Sequence, residues 1–494
     1  MNITELQQSY ASHPNVEGVC RLLKDNSVRH LYCGGLYASA ASLFSSVLVQ
    51  RATCPLVFIL GDMEEAGYFY HDLTQILGTE QVLFFPSSFR RAIKYGQKDA
   101  ANEILRTEVL SRLQKGEEGL CVVTYPDALA EKVVSRKELG DNTLKLHAGE
   151  RVDMNFVTDV LRSYGFEYVD YVYEPGQYAV RGSIIDVFSF SSEYPFRIDF
   201  FGDEVESVRT FEVETQLSKE KKESIVIVPD LSHSLEKKGS GGMVSFLDFL
   251  PSDSLLAMRD FLWLRERIQT VHDESLTPQA IAARESEENG AITLEGKLID
   301  GGEFTLRALD FRRMEFGNKP TGTPDATVSF HTTVQPIFHK NFDMVAESFR
   351  EYLSRHYTIY ICSDSLKQTD RIRAIFEDRG DNISFTAVER TLHEGFADDT
   401  LRICVFTDHQ LFDRFHKYNL KSDKARSGKV ALSLKELNQF TPGDYVVHTD
   451  HGVGRFAGLV RIPNGDTTQE VMKIVYQNED VVFVSIHSLH KVSK

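Results

Sequence analysis

The segment HLYCGGLYASAASLFSSV, residues 30–47, has the order of a phosphate-binding loop, in which a strand runs through glycines into a helix. Such a loop holds a nucleotide with glycine backbone N–H groups, a lysine that neutralises phosphate charge and a hydroxyl that holds magnesium. With the first glycine of the motif on Gly34, the second falls on Ser39, the lysine on Ala40 and the hydroxyl on Ala41. The quoted segment contains no Lys or Arg. We therefore expect no ATP binding here, whether the segment is a degenerate nucleotide loop or an ordinary strand–turn–helix.

Other sets of residues that could carry chemistry are scarce. The chain has no G-x-S-x-G and no H-E-x-x-H motif, and its six cysteines are scattered without a C-x-x-C pair. His448 and His451 are spaced so that both could bind one metal ion, but histidines that simply lie in turns beside glycines are commoner than metal ligands. We expect no catalytic residues and no metal site, and the cysteine usage is typical of a protein from a reducing cytoplasm.

A strand-like run, PFRIDFFGDE at residues 195–204, has two different faces. Alternate side chains of a strand lie on opposite faces. The face that has only large apolar side chains consists of Phe196, Ile198 and Phe200. The other face carries Arg197, Asp199 and Phe201, and an arginine beside an exposed aromatic ring is typical of a protein-binding hot spot. The alternative, which composition alone does not separate, is that a helix covers this face and buries Phe201.

Composition limits the classes of function. The 494 residues suffice for roughly three to five domains, and 42% of them are apolar, which supports packed cores. A formal net charge of −17 argues against nonspecific binding of nucleic acid through a broad basic surface. We find no signal-peptide pattern and no apolar stretch of about 18 residues, so we expect a cytoplasmic protein that does not contact a membrane.

The elements that would position these residues begin with an α/β region over residues 18–135. Its strand-like runs lie at 29–33, 56–60, 82–85 and 120–124. They alternate with helical stretches such as 99–115, which predicts a mainly parallel sheet. The sequence becomes strand-rich between residues 171 and 211, after a helix predicted at 153–164. The charged run at 216–224 is expected to be a linker.

The second half of the chain is expected to alternate in the same way. Residues 243–288 are predicted to be helical, and another α/β unit follows at 328–430. From residue 441 the pattern is all-β, with a hairpin of strands at 470–476 and 481–486. About sixty residues of this kind predict a small barrel.

Two motifs in residues 175–218, V-R-G-S-I-I-D and F-R-I-D-F-F-G-D-E, carry a resemblance to a known family. The segment resembles the second domain of the UvrB-like module of bacterial excision repair and of transcription-repair coupling factors. In that family this domain binds the UvrA damage-recognition subunit. The resemblance implies that the UvrA contacts fall on Arg181, Arg197 and Phe201, and strand alternation had already selected the last two.

The coupling factors differ from UvrB in two features. UvrB keeps a working ATP loop and a tyrosine-rich hairpin that grips DNA, and the coupling factors have lost both. Here the loop is degenerate, and FFPSSFRRAIKYG at 84–96 leads into the predicted helix without room for the hairpin. The sequence is therefore more similar to the coupling factors.

The C-terminal segments GDYVVHTDHGVGRFAGL, 443–459, and EVMKIVYQNEDVVFVSIHSL, 470–489, resemble the CarD-type RNA polymerase-interacting domain. In that family the domain is a small Tudor-like barrel that docks on the polymerase β subunit. Docking of that type uses a sheet edge, whose free backbone groups pair with a partner strand. The resemblance places the polymerase contact near Met472 and Ile474, unless both side chains belong to the core.

These observations predict a multidomain α/β and α+β protein. The first three predicted parts form a UvrB-like module: domain 1a with a degenerate P-loop-like α/β fold at 1–128, an inserted β-rich UvrA-binding domain 2 at 129–216, and domain 1b at 217–325. They are followed by a second small α/β domain at 326–420, a linker at 421–436 and a Tudor-like β-barrel that binds polymerase at 437–494.

The resemblance implies an adaptor that binds stalled RNA polymerase and recruits UvrA. The family continues into a translocase motor, so we expect an N-terminal fragment that has no enzyme activity and no cofactor. ATP, Mg and most contact with double-stranded DNA would belong to the missing motor, and the UvrA surface, masked by a C-terminal module in the family, would be exposed. Two alternatives remain: a nucleotide hydrolase with an unrecognised loop, and a stand-alone CarD-like transcription regulator.

Overall fold

The computed structural model describes residues 1–88, 100–213, 215–231, 242–277, 296–414, 416, 418, 420, 443–448, 451–464, 467–477, 480–485 and 492–493. The chain divides into two compact units. The first combines Met1–Ser135 with Gly242–Leu420, and the second combines Arg136–Gly241 with Lys421–Lys494. Among the described residues, no helix is both long enough and apolar enough to cross a membrane.

The strands, in chain order, are β1 (His30–Gly34), β2 (Leu56–Ile59), β3 (Val82–Phe85), β4 (Cys121–Thr124), β5 (Val133–Val134), β6 (Leu144–His147), β7 (Glu167–Tyr168), β8 (Gln177–Arg181), β9 (Ile184–Val187), β10 (Phe196–Phe201), β11 (Glu204–Phe211), β12 (Ser218–Lys222), β13 (Ser224–Ile227), β14 (Met243–Val244), β15 (Leu255–Met258), β16 (Arg312–Glu315), β17 (Ala326–Ser329), β18 (Thr332–Val334), β19 (Thr358–Ser363), β20 (Thr386–Glu389), β21 (Phe396–Asp398), β22 (Ile403–Thr407), β23 (Tyr445–His448), β24 (Gly452–Asn464), β25 (Thr467–Val475), β26 (Val481–Ser485) and β27 (Val492–Ser493).

The helices are α1 (Ile3–Ala11), α2 (Pro14–Leu22), α3 (Ala40–Arg51), α4 (Met63–Leu77), α5 (Ala100–Lys115), α6 (Pro126–Ala130), α7 (Arg136–Asp141), α8 (Met154–Ser163), α9 (Phe246–Phe249), α10 (Phe261–Ser275), α11 (Gly301–Ala308), α12 (Phe342–Ser354), α13 (Leu366–Asp378) and α14 (Asp408–Leu411).

The first unit is built on a seven-stranded sheet in the order β17-β1-β16-β15-β2-β4-β3. Every neighbouring pair in it is parallel, as the alternation of strands and helices predicts. Every residue of β2, β3 and β4 is buried, because helices cover both faces of such a sheet. The prediction of a continuous helix over 243–288 is wrong at β15, because a short apolar run such as LLAM fits a buried strand and a buried helix equally well.

The first unit also contains a smaller α/β region, which we call the second small α/β domain. Its five-stranded sheet has the order β18-β21-β22-β19-β20, and α12 and α13 pack on it. Its core contains large apolar side chains from both helices and the central strands, including Phe349, Ile361, Phe376 and Phe406. The alternation of strands and helices expected in residues 328–430 is present here in the order α12, β19 and α13.

The β-rich insert of the second unit is a six-stranded sheet in the order β12-β11-β10-β9-β8-β7, packed against α8. The linker predicted at 216–224 is wrong, because β12 pairs with β11 there. Its sequence, SKEKK, is that of an edge strand, in which lysines discourage pairing with other chains. Charge alone therefore did not separate a loop from an exposed edge.

Two short antiparallel ribbons bring the ends of the insert together. β5 pairs with β14 in the first unit, where Ser135 N donates to Gly242 O at 2.9 Å. In the second unit, β6 pairs with β13 from Ser224 opposite His147 to Ile227 opposite Leu144. The chain therefore leaves and re-enters the first unit at adjacent residues.

The C-terminal part is an antiparallel five-stranded sheet in the order β26-β25-β24-β23-β27. Its core residues are Val446, Phe456, Met472, Ile474, Val484 and Val492. The predicted hairpin is confirmed as β25 and β26, whereas closure into a Tudor-like barrel stays a prediction. The predicted linker at 421–436 lies outside the described residues.

Candidate partner-binding surfaces

Strand β10 has the two faces that the alternation predicts. Its apolar face is buried in the core of the insert and consists of Phe196, Ile198 and Phe200. On the other face the ring of Phe201 is 79% exposed, so no helix covers it. A large aromatic ring that is this exposed is a ready contact for another protein. The alternative in which Phe201 is buried is wrong.

The arginines on this face converge on one buried carboxylate. Asp186 of β9 lies directly opposite Arg197 and its side chain is fully buried. Arg197 donates from Nε to Asp186 Oδ1 at 2.7 Å and from Nη2 to Oδ2 at 2.9 Å, a bidentate pair. Arg181 also forms an ion pair with Asp186 and lies over the ring of Tyr171. The sheet face therefore carries a fixed Arg–Asp–Arg cluster.

Arg197 is held more tightly than a free surface arginine. Its Nη1 donates to Gln216 O at 3.1 Å, and its guanidinium carbon lies 4.6 Å from the centre of the Phe211 ring. The hydrogen bonds to Asp186 raise the pKa of Arg197, and only 14% of its side chain is exposed. Arg181, at 35% exposed, and Phe201 offer more of their surface to a partner.

A second ionic pair involves Asp199, which lies between Arg197 and Phe201 on the same face of β10. Arg209 of β11 pairs with Asp199, which also accepts a hydrogen bond from Ser207 Oγ at 2.9 Å. Phe201 lies opposite Glu204, at the end of the β10–β11 hairpin. The resemblance motif contained Asp186, but sequence reasoning missed its role because the pairing register of β9 and β10 was unknown.

The loop that contains Gly34 and Gly35 connects β1 to α3, and other parts of the chain bond to its polar groups. Tyr37 N donates to Thr332 Oγ1 at 3.0 Å, and Ser39 N donates to Glu394 O at 3.3 Å. Ser39 Oγ accepts a hydrogen bond from Glu394 N at 3.0 Å. A Cβ at position 35 would lie 2.0 Å from Phe330 O, so backbone fills the space beside this glycine.

A cavity of about 420 Å³ beside this loop has acidic walls. Its charged lining residues are Asp62, Glu64, Glu65, Asp72, Glu394 and Arg259. Burial raises the pKa of Asp72 to about 7, although Asp72 accepts hydrogen bonds from Ser42 Oγ and His393 N. Even with Asp72 protonated, four carboxyl groups against one guanidinium repel a triphosphate rather than attract it.

The predicted polymerase contacts of the C-terminal sheet are core residues. The side chains of Met472 and Ile474 are fully buried, and β25 pairs on both sides, with β24 and with β26. The sheet edge expected at this strand is therefore wrong, because its backbone groups already have strand partners. Among the described residues, β26 and β27 each pair on one side only, and Phe483 of β26 is half exposed.

The two histidines that were candidates for metal binding, His448 and His451, lie close together in the C-terminal part. The rings of His448 and His451 are 4.7 Å apart, and Asp450 between them lies outside the described residues. Within the part of the chain that the structure describes, no group of three or more His, Cys, Asp or Glu side chains is placed to hold a metal ion.

Comparisons with known proteins match the two β-rich parts. Residues 144–233 match the UvrB interaction domain, and residues 440–494 match the CarD-like/TRCF RID domain. The first match contains β9 and β10, and the second contains the five-stranded C-terminal sheet.

Whole-chain relatives agree with these domain matches. A transcription-repair-coupling factor from Staphylococcus aureus (strain bovine RF122 / ET3-1) is 23% identical over 524 residues, which cover 93% of this chain and 44% of the relative. The factor of the same name from Bacillus subtilis (strain 168) is 22% identical over 538 residues, with the same two shares covered. The chain thus spans less than half the length of the curated relatives that it matches. Over nearly all of its own length the chain is therefore similar to the transcription-repair-coupling factors, and its two β-rich parts match the UvrB interaction domain and the CarD-like/TRCF RID domain.

Proposed function

We propose that this chain is the adaptor part of a transcription-coupled repair factor. It binds stalled RNA polymerase through the RID domain and recruits UvrA through the exposed face of β10. The observation that carries the proposal is the exposed ring of Phe201 at the end of a fixed row of arginines and aspartates. Such a surface combines apolar area with hydrogen-bond donors whose positions are already fixed. Fixed donors lower the conformational entropy that is lost on binding.

The test measures the affinity of the full chain for UvrA. Phe201→Ala should weaken binding by about 2 kcal/mol or more, as loss of a hot-spot aromatic residue does. Phe156→Ala is the matched control, because Phe156 is a half-exposed aromatic residue of the same domain but lies on α8. Equal affinities of the Phe201 variant and the unmodified chain would remove the site assignment. Arg197→Ala should also weaken binding by roughly 2 kcal/mol.

For the polymerase contact, we propose the unpaired side of β26 together with the exposed face of the RID sheet. Across this face Tyr445, Arg455, Val475 and Val481 lie in register on four successive strands. Met472 and Ile474 support the face from the core. Phe483→Glu should abolish retention of polymerase and its isolated β subunit in a pull-down, while UvrA binding is unchanged. Retention at the level of the unmodified chain would contradict this placement.

We propose that the loop at Gly34 binds no nucleotide. ATP and Mg would act in the remainder of the relatives' length, where a motor would translocate on double-stranded DNA. Equilibrium dialysis of this chain with labelled ATP should show no binding, and micromolar affinity would favour the nucleotide-hydrolase alternative. A chain that retains polymerase but never UvrA would instead be a CarD-like transcription regulator.

A further inference from the structure

Described residues that follow the second small α/β domain contact α4. We name four of them, Arg414, His416, Tyr418 and Leu420, the strap. Tyr68 of α4 donates its hydroxyl hydrogen to His416 O at 2.8 Å, and the Tyr68 and Tyr418 rings meet edge to face at 5.0 Å. The only glycine of α4, Gly67, lies under the Tyr418 ring, where a Cβ would lie 2.4 Å from the nearest ring atom. The strap therefore needs a residue without a side chain at position 67.

Four histidines from four parts of the first unit meet beneath and within the strap. His416 of the strap stacks on His409 of α14 at 4.4 Å between ring centres, and it meets His71 of α4 edge to face at 5.1 Å. His393 lies 6.4 Å from His416 and stacks on Tyr68 at 3.6 Å. Four imidazoles at these separations can share the space only while few of them are charged.

The hydrogen bonds of the cluster fit neutral rings. His409 Nε2 donates to His393 O at 2.8 Å, which fixes its tautomer. Three buried ring nitrogens, His71 Nε2, His393 Nδ1 and His416 Nε2, have no hydrogen-bond partner among the described residues. A second proton on any of these rings would place a charge where no acceptor receives it.

The surroundings of the four rings also favour the neutral imidazoles. Burial lowers the pKa of all four histidines, that of His71 and of His393 to about 4. The charged and titratable groups that face the rings are Glu64, Tyr68, Asp72, Asp364, Glu394, Asp408 and Arg414. Asp364 and Asp408 raise the pKa of His416, but burial outweighs them. Asp72 contacts the backbone of His393 rather than the strap.

We propose that the strap is a pH-sensitive contact. It packs on α4 while the four imidazoles are neutral, and it detaches from α4 when they take up protons. Opening breaks the contacts that His416 and Tyr418 make with Tyr68 and Gly67 of α4. The inference does not depend on which partners the chain binds.

The direction of the pH effect follows from linkage. An imidazole with a pKa of about 6.5 when the strap is open and about 4 when it is closed binds a proton more readily in the open form. Lowering the pH from 7.5 to 5.5 should therefore raise the opening constant about tenfold for each such histidine. Hydrogen exchange of the full chain, corrected for the intrinsic rate at each pH, measures this constant for peptides from the strap and α4.

Two variants test this contact without relying on pH. Gly67→Ala should open the strap at pH 7.5 and raise its exchange at least tenfold, although alanine favours the helix itself. Gly18→Ala is the matched control, because Gly18 is also helical but has no atom within 4 Å of its Cβ position. In a chain that already carries Tyr418→Ala, adding Gly67→Ala should not raise the hydrogen exchange further. Unchanged strap exchange in Gly67→Ala would overturn the proposal.

A third variant tests the trigger. His71→Phe keeps a ring of similar size that takes no proton, so the rise in exchange between pH 7.5 and 5.5 should shrink about tenfold. The exposed His331, replaced by Gln, is the control and should leave that rise unchanged. An equal pH response in His71→Phe and the unmodified chain would show that protonation of this cluster does not open the strap.

Discussion

At the scale of single residues, Asp186 anchors the arginines on the polar face of the β9–β10 pair. It is a fully buried carboxylate whose charge is balanced by Arg197 and Arg181. A buried ion pair adds little net stability, but removal of one partner leaves an uncompensated charge. Arg197 and Phe201, which share one face of β10, should therefore behave differently when they are replaced.

We expect Arg197→Ala to lower the free energy of opening of the β9–β10 sheet by about 3 kcal/mol, and Phe201→Ala to change it by less than about 0.5 kcal/mol. Hydrogen exchange of peptides from these two strands measures both values. The Phe201 variant should lose UvrA binding with exchange unchanged, whereas the Arg197 variant should lose both. Equal exchange in the two variants would contradict the anchoring role of Asp186.

Asp72 predicts a pH dependence in the first unit. Burial raises its pKa from the ordinary 3.8 to about 7, so the folded state holds a proton that the unfolded state releases between these values. The contribution of Asp72 to stability is therefore present at low pH and is lost as the pH rises towards 7. Asp72→Asn removes this loss, so the variant should gain about 2 to 3 kcal/mol relative to the unmodified chain between pH 5 and pH 8.

Urea unfolding followed by tryptophan fluorescence measures this gain, since Trp263 is the only tryptophan of the chain and lies in the first unit. Glu64→Gln, an exposed carboxyl of the same cavity, is the control and should keep the pH slope of the unmodified chain. A constant difference between Asp72→Asn and the unmodified chain from pH 5 to pH 8 would show that Asp72 is ionised throughout.

At the scale of elements, the β1–α3 loop is closed by backbone contact, and glycine substitutions measure that contact. Gly35 and Gly78 both have φ near +80°, but only at Gly35 would a Cβ meet another atom, Phe330 O. We expect Gly78→Ala to cost about 1 to 3 kcal/mol from backbone strain alone, because its φ of +82° with ψ of 177° is nearly restricted to glycine, and Gly35→Ala at least about 3 kcal/mol more. The same fluorescence experiment measures both costs, and equal costs would exclude the close approach of Phe330.

The spacing of apolar residues predicted two kinds of strand: those with one apolar and one polar face, and those with both faces buried. The alternation in β10 and the apolar runs of β2, β3 and β4 were therefore found from sequence. β12 and β15 were missed because a charged edge strand resembles a loop and four apolar residues fit a helix as well as a strand.

Contacts between distant residues could not be predicted in the same way. The pairing of Arg197 with Asp186 needs the register of two strands, which one sequence does not reveal. The burial of Met472 depends on which face of β25 packs inward. His71 and His416 are far apart in the chain, and only the fold brings their rings together.

At the scale of the whole molecule, the proposed function predicts that the two β-rich parts bind their partners separately. The ends of the insert meet at Ser135 and Gly242, so a short linker can replace residues 136–241. We expect that deletion to leave urea unfolding at Trp263 within about 1 kcal/mol of the full chain. Pull-downs should show that UvrA binding is lost and polymerase binding is kept. Loss of both would show that the insert supports the rest of the fold.

The order of strands in the seven-stranded sheet has a consequence for how the protein is made. β1 lies between β16 and β17, and both of these neighbours are encoded roughly 280 residues after it. At about 5 to 20 residues per second, a ribosome needs roughly 15 to 60 seconds to deliver them. During translation β1 thus waits with both sides unpaired, and nascent chains of this protein should depend on chaperones until β17 has left the exit tunnel.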